Sequence, residues 1–214
     1  MNLRKTFKTL LSLAVLSLAV HAQAGEMPAT IVGVYDKVPG AEFKFDGKTV
    51  EVEEYFSFYC HTCYDFEKSV PIIRGNYPGK VKWKIIPIYW GDHGSPKPGE
   101  AYFVAEEMGK GEAMKKALFE AHMVHKKDIA DLDVLEGLGK EIGLGPDFGK
   151  KLRAGEKAGE SQKALEMAKK VGINETPTIV IAGNLKTDPH PMNHDLNTFR
   201  TNIIAIIHSI LNQK

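Results

Sequence analysis

Cys60 and Cys63 are the only cysteines in the 214-residue chain, and they stand three apart in Y-C-H-T-C-Y. That spacing suits one kind of chemistry. On a helix, residues three apart share a face, which brings two sulfurs within reach of a single disulfide. If the first cysteine opens the helix, unpaired amides and the helix dipole favour its thiolate, the nucleophilic form. Other uses of the pair fit poorly. A zinc site takes about four ligands, and no second C-x-x-C or Cys/His pair completes one. Covalent haem attachment needs histidine directly after the second cysteine, where Tyr64 stands. Reversible redox chemistry is the strong reading, carried by the Cys60–Cys63 disulfide with no separate cofactor.

The pair needs a strand to carry it and a helix to activate it. Val50 to Tyr59 reads V-E-V-E-E-Y-F-S-F-Y, a β-type run rich in Val, Phe and Tyr. Tyr64 to Val70 suits a helix, which should kink or stop at Pro71. Alternation along the strand puts Val50, Val52, Glu54, Phe56 and Phe58 on one face, with Glu51 and Glu53 on the other. Glu54 is therefore expected to be buried, six residues before Cys60. Burial penalises the charged form of a carboxylate, which makes Glu54 a candidate for proton transfer. A second strand is expected from Val81 to Tyr89, where Lys84 is in phase with Ile86 and Ile88 and is a possible partner for Glu54. Upstream, Glu42–Phe45, Asp46-Gly47 and Lys48–Val50 read as a hairpin with a tight turn.

From about Pro98 the pattern becomes helical. Ala101–Met108, Glu112–His125, Asp133–Ile142, Asp147–Arg153 and Ser161–Val171 are separated by Gly-rich breaks, and Leu135, Leu138 and Ile142 form an apolar stripe. His122 and His125, on a polar, Lys-rich helix end, read as solvated histidines rather than a metal pair. Gly172 to Ile181 is a loop entering a strand, with Pro177 at the strand's first residue because it cannot donate to a ladder. A Gly183-Asn184 turn, a short strand Leu185–Thr187 and a Pro/His loop from Asp188 to His194 follow. The chain closes with a helix, Asp195–Gln213, striped by Phe199, Ile203, Ile206, Ile207 and Ile210.

The ends and the charge bound where this chemistry takes place. Arg4, Lys5 and Lys8, the apolar run Leu10–Val20 and Ala22-Gln23-Ala24 before Gly25 have the pattern of a cleaved secretory signal peptide. The apolar run is too short to span a membrane. An exported, soluble protein is expected, in a compartment where disulfides persist. With 28 basic and 27 acidic residues and a net charge of +1, nothing implies a nucleic-acid or anionic-membrane partner.

Taken together, the strand V-E-E-Y-F-S-F-Y leading into C-H-T-C, the helical block, V-G-I-N-E-T-P-T and the closing helix resemble the periplasmic thiol–disulfide oxidoreductases of the DsbA type. The resemblance covers nearly all of the chain after residue 24. It implies an α/β protein, a thioredoxin fold with an inserted helical domain. Residues 25–96 and 172–214 would form the thioredoxin-like part, 97–171 the insertion, and 1–24 the signal peptide. It implies that Cys60 is the exposed nucleophile and Cys63 the buried resolving partner. Pro177 would be a cis-proline facing the disulfide, and Thr176 would offer backbone bonds to an incoming peptide. Glu54 and Lys84 would be the family's buried charged pair.

Two positions depart from the family pattern. The dipeptide is His61-Thr62 where the oxidases carry Pro-His, and Thr176 stands where strong oxidases carry Val. Both positions tune redox poise. The implied role is a periplasmic, monomeric oxidase that acts on reduced or unfolded exported proteins and is reoxidised by a membrane-bound partner. An apolar patch near Pro177, with Met192, would hold those unfolded chains. Two other readings remain: a reductase or isomerase, suggested by Thr176, and a Cu(I) carrier using Cys60, Cys63 and His61, since soft thiolates suit Cu(I).

Overall fold

The computed structural model describes residues 30–212; the expected signal peptide at 1–24 lies outside them. A five-stranded sheet in the order β1-β5-β4-β2-β3 forms the frame. Its centre is β2 (Val50–Phe56), parallel to β3 (Val81–Pro87) on one side and antiparallel to β4 (Thr178–Ile181) on the other. β5 (Leu185–Thr187) returns beside β4, and β1 (Asp36–Lys37) pairs antiparallel with β5 at the edge. Helices α1 (His61–Phe66) and α2 (Val70–Asn76) connect β2 to β3. Between β3 and β4 lies the helical insertion: α3 (Lys97–Glu107), α4 (Gly111–Phe119), α5 (Leu132–Glu141), α6 (Pro146–Arg153) and α7 (Ala158–Lys170). A π-helical turn, Glu120–Val124, prolongs α4. α8 (Leu196–Leu211) closes the fold.

β2 divides the apolar interior. Val50 and Val52 pack toward α1, α2 and α8, whereas Tyr55, on the other face, meets Ala164 and Ala168 of α7. Phe56 and Phe58, beyond Glu54, enter the core of the insertion with Phe119 and Leu118 of α4. Glu54 thus stands at the junction of two apolar clusters. α8 is anchored by its expected stripe: Phe199, Ile203, Ile206, Ile207 and Ile210 are all fully buried. Each such side chain contributes on the order of 1.5–3 kcal/mol. Asp195 caps the helix, its Oδ1 accepting the Thr198 N–H at 2.6 Å.

Several expectations are corrected. β2 ends at Phe56 rather than Tyr59, because a local turn takes over. The Ser57 hydroxyl accepts the Tyr59 N–H at 3.2 Å, and the Ser57 carbonyl accepts the Cys60 N–H at 3.1 Å. β3 likewise stops at Pro87, short of Tyr89. Residues 42–49 form no hairpin: Asp46 Oδ1 takes the N–H groups of Lys48 and Thr49, at 2.8 and 2.6 Å, so they cannot join a ladder. The interruption expected at Pro71 is present but falls a little earlier, at 67–69, because proline has no N–H to give the Glu67 carbonyl. Pro71 instead sits in the first turn of α2, where its missing donor costs nothing.

Candidate active site

Cys60 is the N-cap of α1, with φ −95° and ψ 116°, and its Sγ accepts the Cys63 N–H at 3.2 Å. The strand–turn–helix passage places it there. β2 delivers the chain, the Ser57 turn reverses it, and the first amides of α1 converge on the sulfur. Cys60 is half-buried and Cys63 fully buried, and both are free thiols. The two sulfurs are held very differently. The Cys60 thiol is lowered to about 6, first by the hydrogen bond from the Cys63 thiol. Burial opposes this, and the Thr176 side chain and the amides of Cys63 and Thr62 add to it. The Cys63 thiol is pushed well up, by desolvation first and then by its neighbour Cys60. One sulfur is a ready nucleophile and leaving group; the other holds a proton.

The loop before β4 closes the site. The Thr176–Pro177 peptide bond is cis, and the Cys60 thiol donates to the Thr176 carbonyl at 3.3 Å. Thr178 fastens the loop, its hydroxyl donating to the Glu175 carbonyl at 2.7 Å. Thr62 is half-buried in the first turn of α1. His61 is 78% exposed, with Nε2 3.4 Å from Asp65 Oδ2, so any charge it carries is shared with an adjacent carboxylate. Met192 lies in the core with Phe199 and Leu185 and is only 7% exposed. That corrects its expected place on a surface patch: the 3₁₀ turn His190–Met192 points it inward.

Glu54 is buried as expected, but not with the expected partner. Parallel pairing sets Glu53 opposite Lys84 and Glu54 opposite Ile85. Lys84 therefore lies on the other face and bonds Glu53 Oε1 at 2.9 Å. The partner of Glu54 is Lys115 of α4, with Nζ 3.0 Å from Oε2; Trp83 Nε1 donates to the same oxygen at 2.9 Å. Lys115 also reaches Glu67 Oε1 at 2.6 Å and lies 4.6 Å from the Phe56 ring centroid. Burial works against the Lys115 charge, but Glu54 and Glu67 outweigh it and hold its pKa above the ordinary value. Glu67 follows α1 directly, so the cluster ties the redox helix to the central strand and the insertion.

Sequence reasoning missed Lys115, although α4 carries a signal for it. Gly111 and Phe119, four residues either side, are both buried, which places Lys115 on an inward-facing row. Tyr59, just before Cys60, was missed too. His122 from the π-helical turn packs edge-on to its ring, centroids 5.0 Å apart, so His122 is a packing residue rather than a freely solvated one. Gly94 backs the other side: a Cβ there would lie 2.8 Å from the ring.

A cysteine pair at a helix start, a cis-proline loop against the first sulfur and a helical insertion in the sheet define a thioredoxin-fold redox site. The chain belongs to the thioredoxin family, whose model, described as Thioredoxin, matches residues 48–197. Its relatives include thiol:disulfide interchange protein DsbA of Pseudomonas syringae pv. tomato, 27% identical over 145 residues. That match spans 65% of this chain and 65% of the relative's length. The DsbA of Haemophilus influenzae is 26% identical over 149 residues, covering 68% and 72%. Among solved structures, the oxidoreductase DsbA of Xylella fastidiosa superposes with a TM-score of 0.68 at 24% identity, over 81% of this chain and 93% of that one. The DsbA of Pseudomonas aeruginosa gives 0.64 at 20% identity, over 80% and 91%. The fold is therefore the DsbA-type thioredoxin fold with its helical insertion.

Proposed function

We propose that the chain is a thiol–disulfide oxidoreductase that donates the Cys60–Cys63 disulfide to reduced or unfolded exported proteins. The observation that carries this reading is the asymmetry of the pair. Cys60 is reachable, its sulfur accepts the Cys63 N–H and its thiol is lowered to about 6, while Cys63 is sealed and raised. In the oxidised protein a substrate thiolate attacks Cys60 Sγ. The Cys60–Cys63 bond breaks, and its electron pair goes to Cys63, whose high proton affinity draws a proton. A second substrate thiolate then attacks the substrate sulfur of the mixed disulfide. Cys60 leaves as a thiolate, the substrate gains a disulfide and the enzyme keeps two electrons. Groups that stabilise the departing Cys60 thiolate make the protein more oxidising.

The Thr176 backbone beside Cys60 supports a role in holding the substrate chain while the exchange proceeds. The wider reading adds a periplasmic location after removal of residues 1–24, supported by the signal-peptide pattern of the sequence, a membrane-bound partner that restores the disulfide, and a monomer. Redox equivalents reside in the two cysteines, so no cofactor is required. Net reduction or isomerisation remains the alternative direction of the same chemistry, and Thr176 does not favour it, since its side chain helps to lower Cys60. A Cu(I) carrier fits the geometry less well, because Cys63 is fully buried and His61 is turned to solvent beside Asp65. Turnover tests the proposal. With glutathione disulfide supplied as the terminal oxidant, catalytic quantities of the protein should restore activity to a reduced, unfolded disulfide-containing enzyme faster than glutathione disulfide alone. Cys60→Ser should abolish this, and an acceleration that survives the substitution would overturn the assignment.

A further inference from the structure

A cleft of ≈ 810 Å³ opens beside the break between α1 and α2, facing α4. Tyr64, Val70, Ile85 and Phe119 give it apolar and aromatic walls, and Glu67 and Lys115 form its charged end. The buried cluster at that end carries one cation, Lys115, and two carboxyl groups, Glu54 and Glu67. Glu54 is sealed, whereas the Glu67 side chain keeps 29% of its surface and lines the cleft. With both carboxylates ionised, the cluster holds one negative charge in excess.

Among the described residues, the other charged side chains that line the cleft are each paired. Arg74 of α2 pairs with Glu112 of α4 at 3.2 Å, Lys116 with Glu120 at 3.8 Å, and Lys68 with Asp65 at 3.6 Å. Lys115 has no donor free for an anionic ligand, being spent on Glu54, Glu67 and the Phe56 ring. The complement of the cleft is therefore an apolar body with a single positive head.

We propose that this cleft binds a small apolar amine, its ammonium group against the Glu67 carboxylate and its aryl or alkyl body between Tyr64, Ile85 and Phe119. Neither cysteine lines the cleft, and the proposal does not depend on the direction of disulfide exchange. In the absence of such a ligand, a proton takes the same place. Desolvation first, then the charge of Glu54, pushes the Glu67 carboxyl up to about 7 against the pull of Lys115, with Glu112 adding to the rise. Amine and proton then compete for one carboxylate.

The test uses phenethylamine as probe and 2-phenylethanol as its uncharged counterpart, with the oxidised full-length protein. Binding is followed through the indole N–H resonance of Trp83, which reports from Glu54. Phenethylamine should bind saturably at pH 8 and about 30-fold more weakly at pH 5.5, the ratio of ionised Glu67 for a group titrating at about 7. 2-Phenylethanol should bind more weakly at pH 8 and show no such dependence. Glu67→Gln should remove the pH dependence and the preference for the amine, while Glu112→Gln, at the mouth, should keep both. Absence of saturable phenethylamine binding at pH 8 would overturn the proposal. So would equal binding to wild type and Glu67→Gln, or an alcohol that binds as tightly as the amine.

Discussion

Lys115 reaches out of the helical insertion to Glu54 in the central strand, Nζ to Oε2 at 3.0 Å, with both side chains withdrawn from solvent. The Oε1 atom of Glu54 has no hydrogen-bond partner among the described residues, so the carboxylate depends on Lys115 and Trp83 for its compensation. Removing one member of a buried pair leaves the other charge unpaired, at about 3–5 kcal/mol. Lys115→Met is expected to cost that much in urea unfolding. The double variant Lys115→Met/Glu54→Leu should recover most of it, since apolar groups of similar size suit the site. A single variant that loses under about 1 kcal/mol would mean the pair is not desolvated as described.

Glu67 gives stability a pH dependence of definite sign. Its folded carboxyl titrates at about 7, above the ordinary 4.5, so the folded state binds more protons than the unfolded state between those values. Stability from this group is present below about 4.5 and lost as pH rises through 7. Melting temperatures of wild type and Glu67→Gln, followed from pH 4.5 to 8, should move apart over that window with wild type falling. Parallel curves would place Glu67 in solvent.

The cysteines should be distinguishable by alkylation. Iodoacetamide reacts with thiolate, so the reduced protein should be labelled at Cys60 with a midpoint near 6, and Cys63 should remain unlabelled after peptide mapping. Thr176→Val removes one of the groups that lower Cys60 and should raise the midpoint by about one pH unit, the effect of one hydrogen bond to a charged group. An unchanged midpoint would confine Thr176 to its backbone contact.

The site is legible in the sequence where one element is enough to specify it. Two cysteines at helical spacing, the alternation that buries Glu54 and the stripe of α8 each depend on periodicity within a single segment. Lys84 shows where that ends. The face it shares with β2 depends on the register between two strands, which neither strand carries alone. Lys115 lies further out of reach, since it meets Glu54 only through the packing of the insertion on the sheet, 61 residues away along the chain. The Pro/His loop suggests a surface position for Met192, and the 3₁₀ turn that buries it has no signal beyond prolines. In residues 42–49 the turn is legible, but not that Asp46 takes the donors a hairpin requires.

The reduced and oxidised forms should differ in stability. In the reduced protein the folded Cys60 pKa lies near 6, below its unfolded value near 9, so the thiolate stabilises the fold above that unfolded value and the benefit is lost as pH falls through 6. Cys63, raised instead, works against this only at alkaline pH. The oxidised protein has neither term. The melting temperature of the reduced form minus that of the oxidised form should therefore grow between about pH 6 and 8. A difference that shrinks over this range would contradict the Cys60 assignment.

The equilibrium of the Cys60–Cys63 pair with glutathione tests net disulfide donation most directly. The account predicts a disulfide less stable than its dithiol, with a potential between about −120 and −230 mV, the span from a strong oxidant to a glutaredoxin. A potential near about −270 mV, with the oxidised form melting higher, would contradict it and make the protein a reductase.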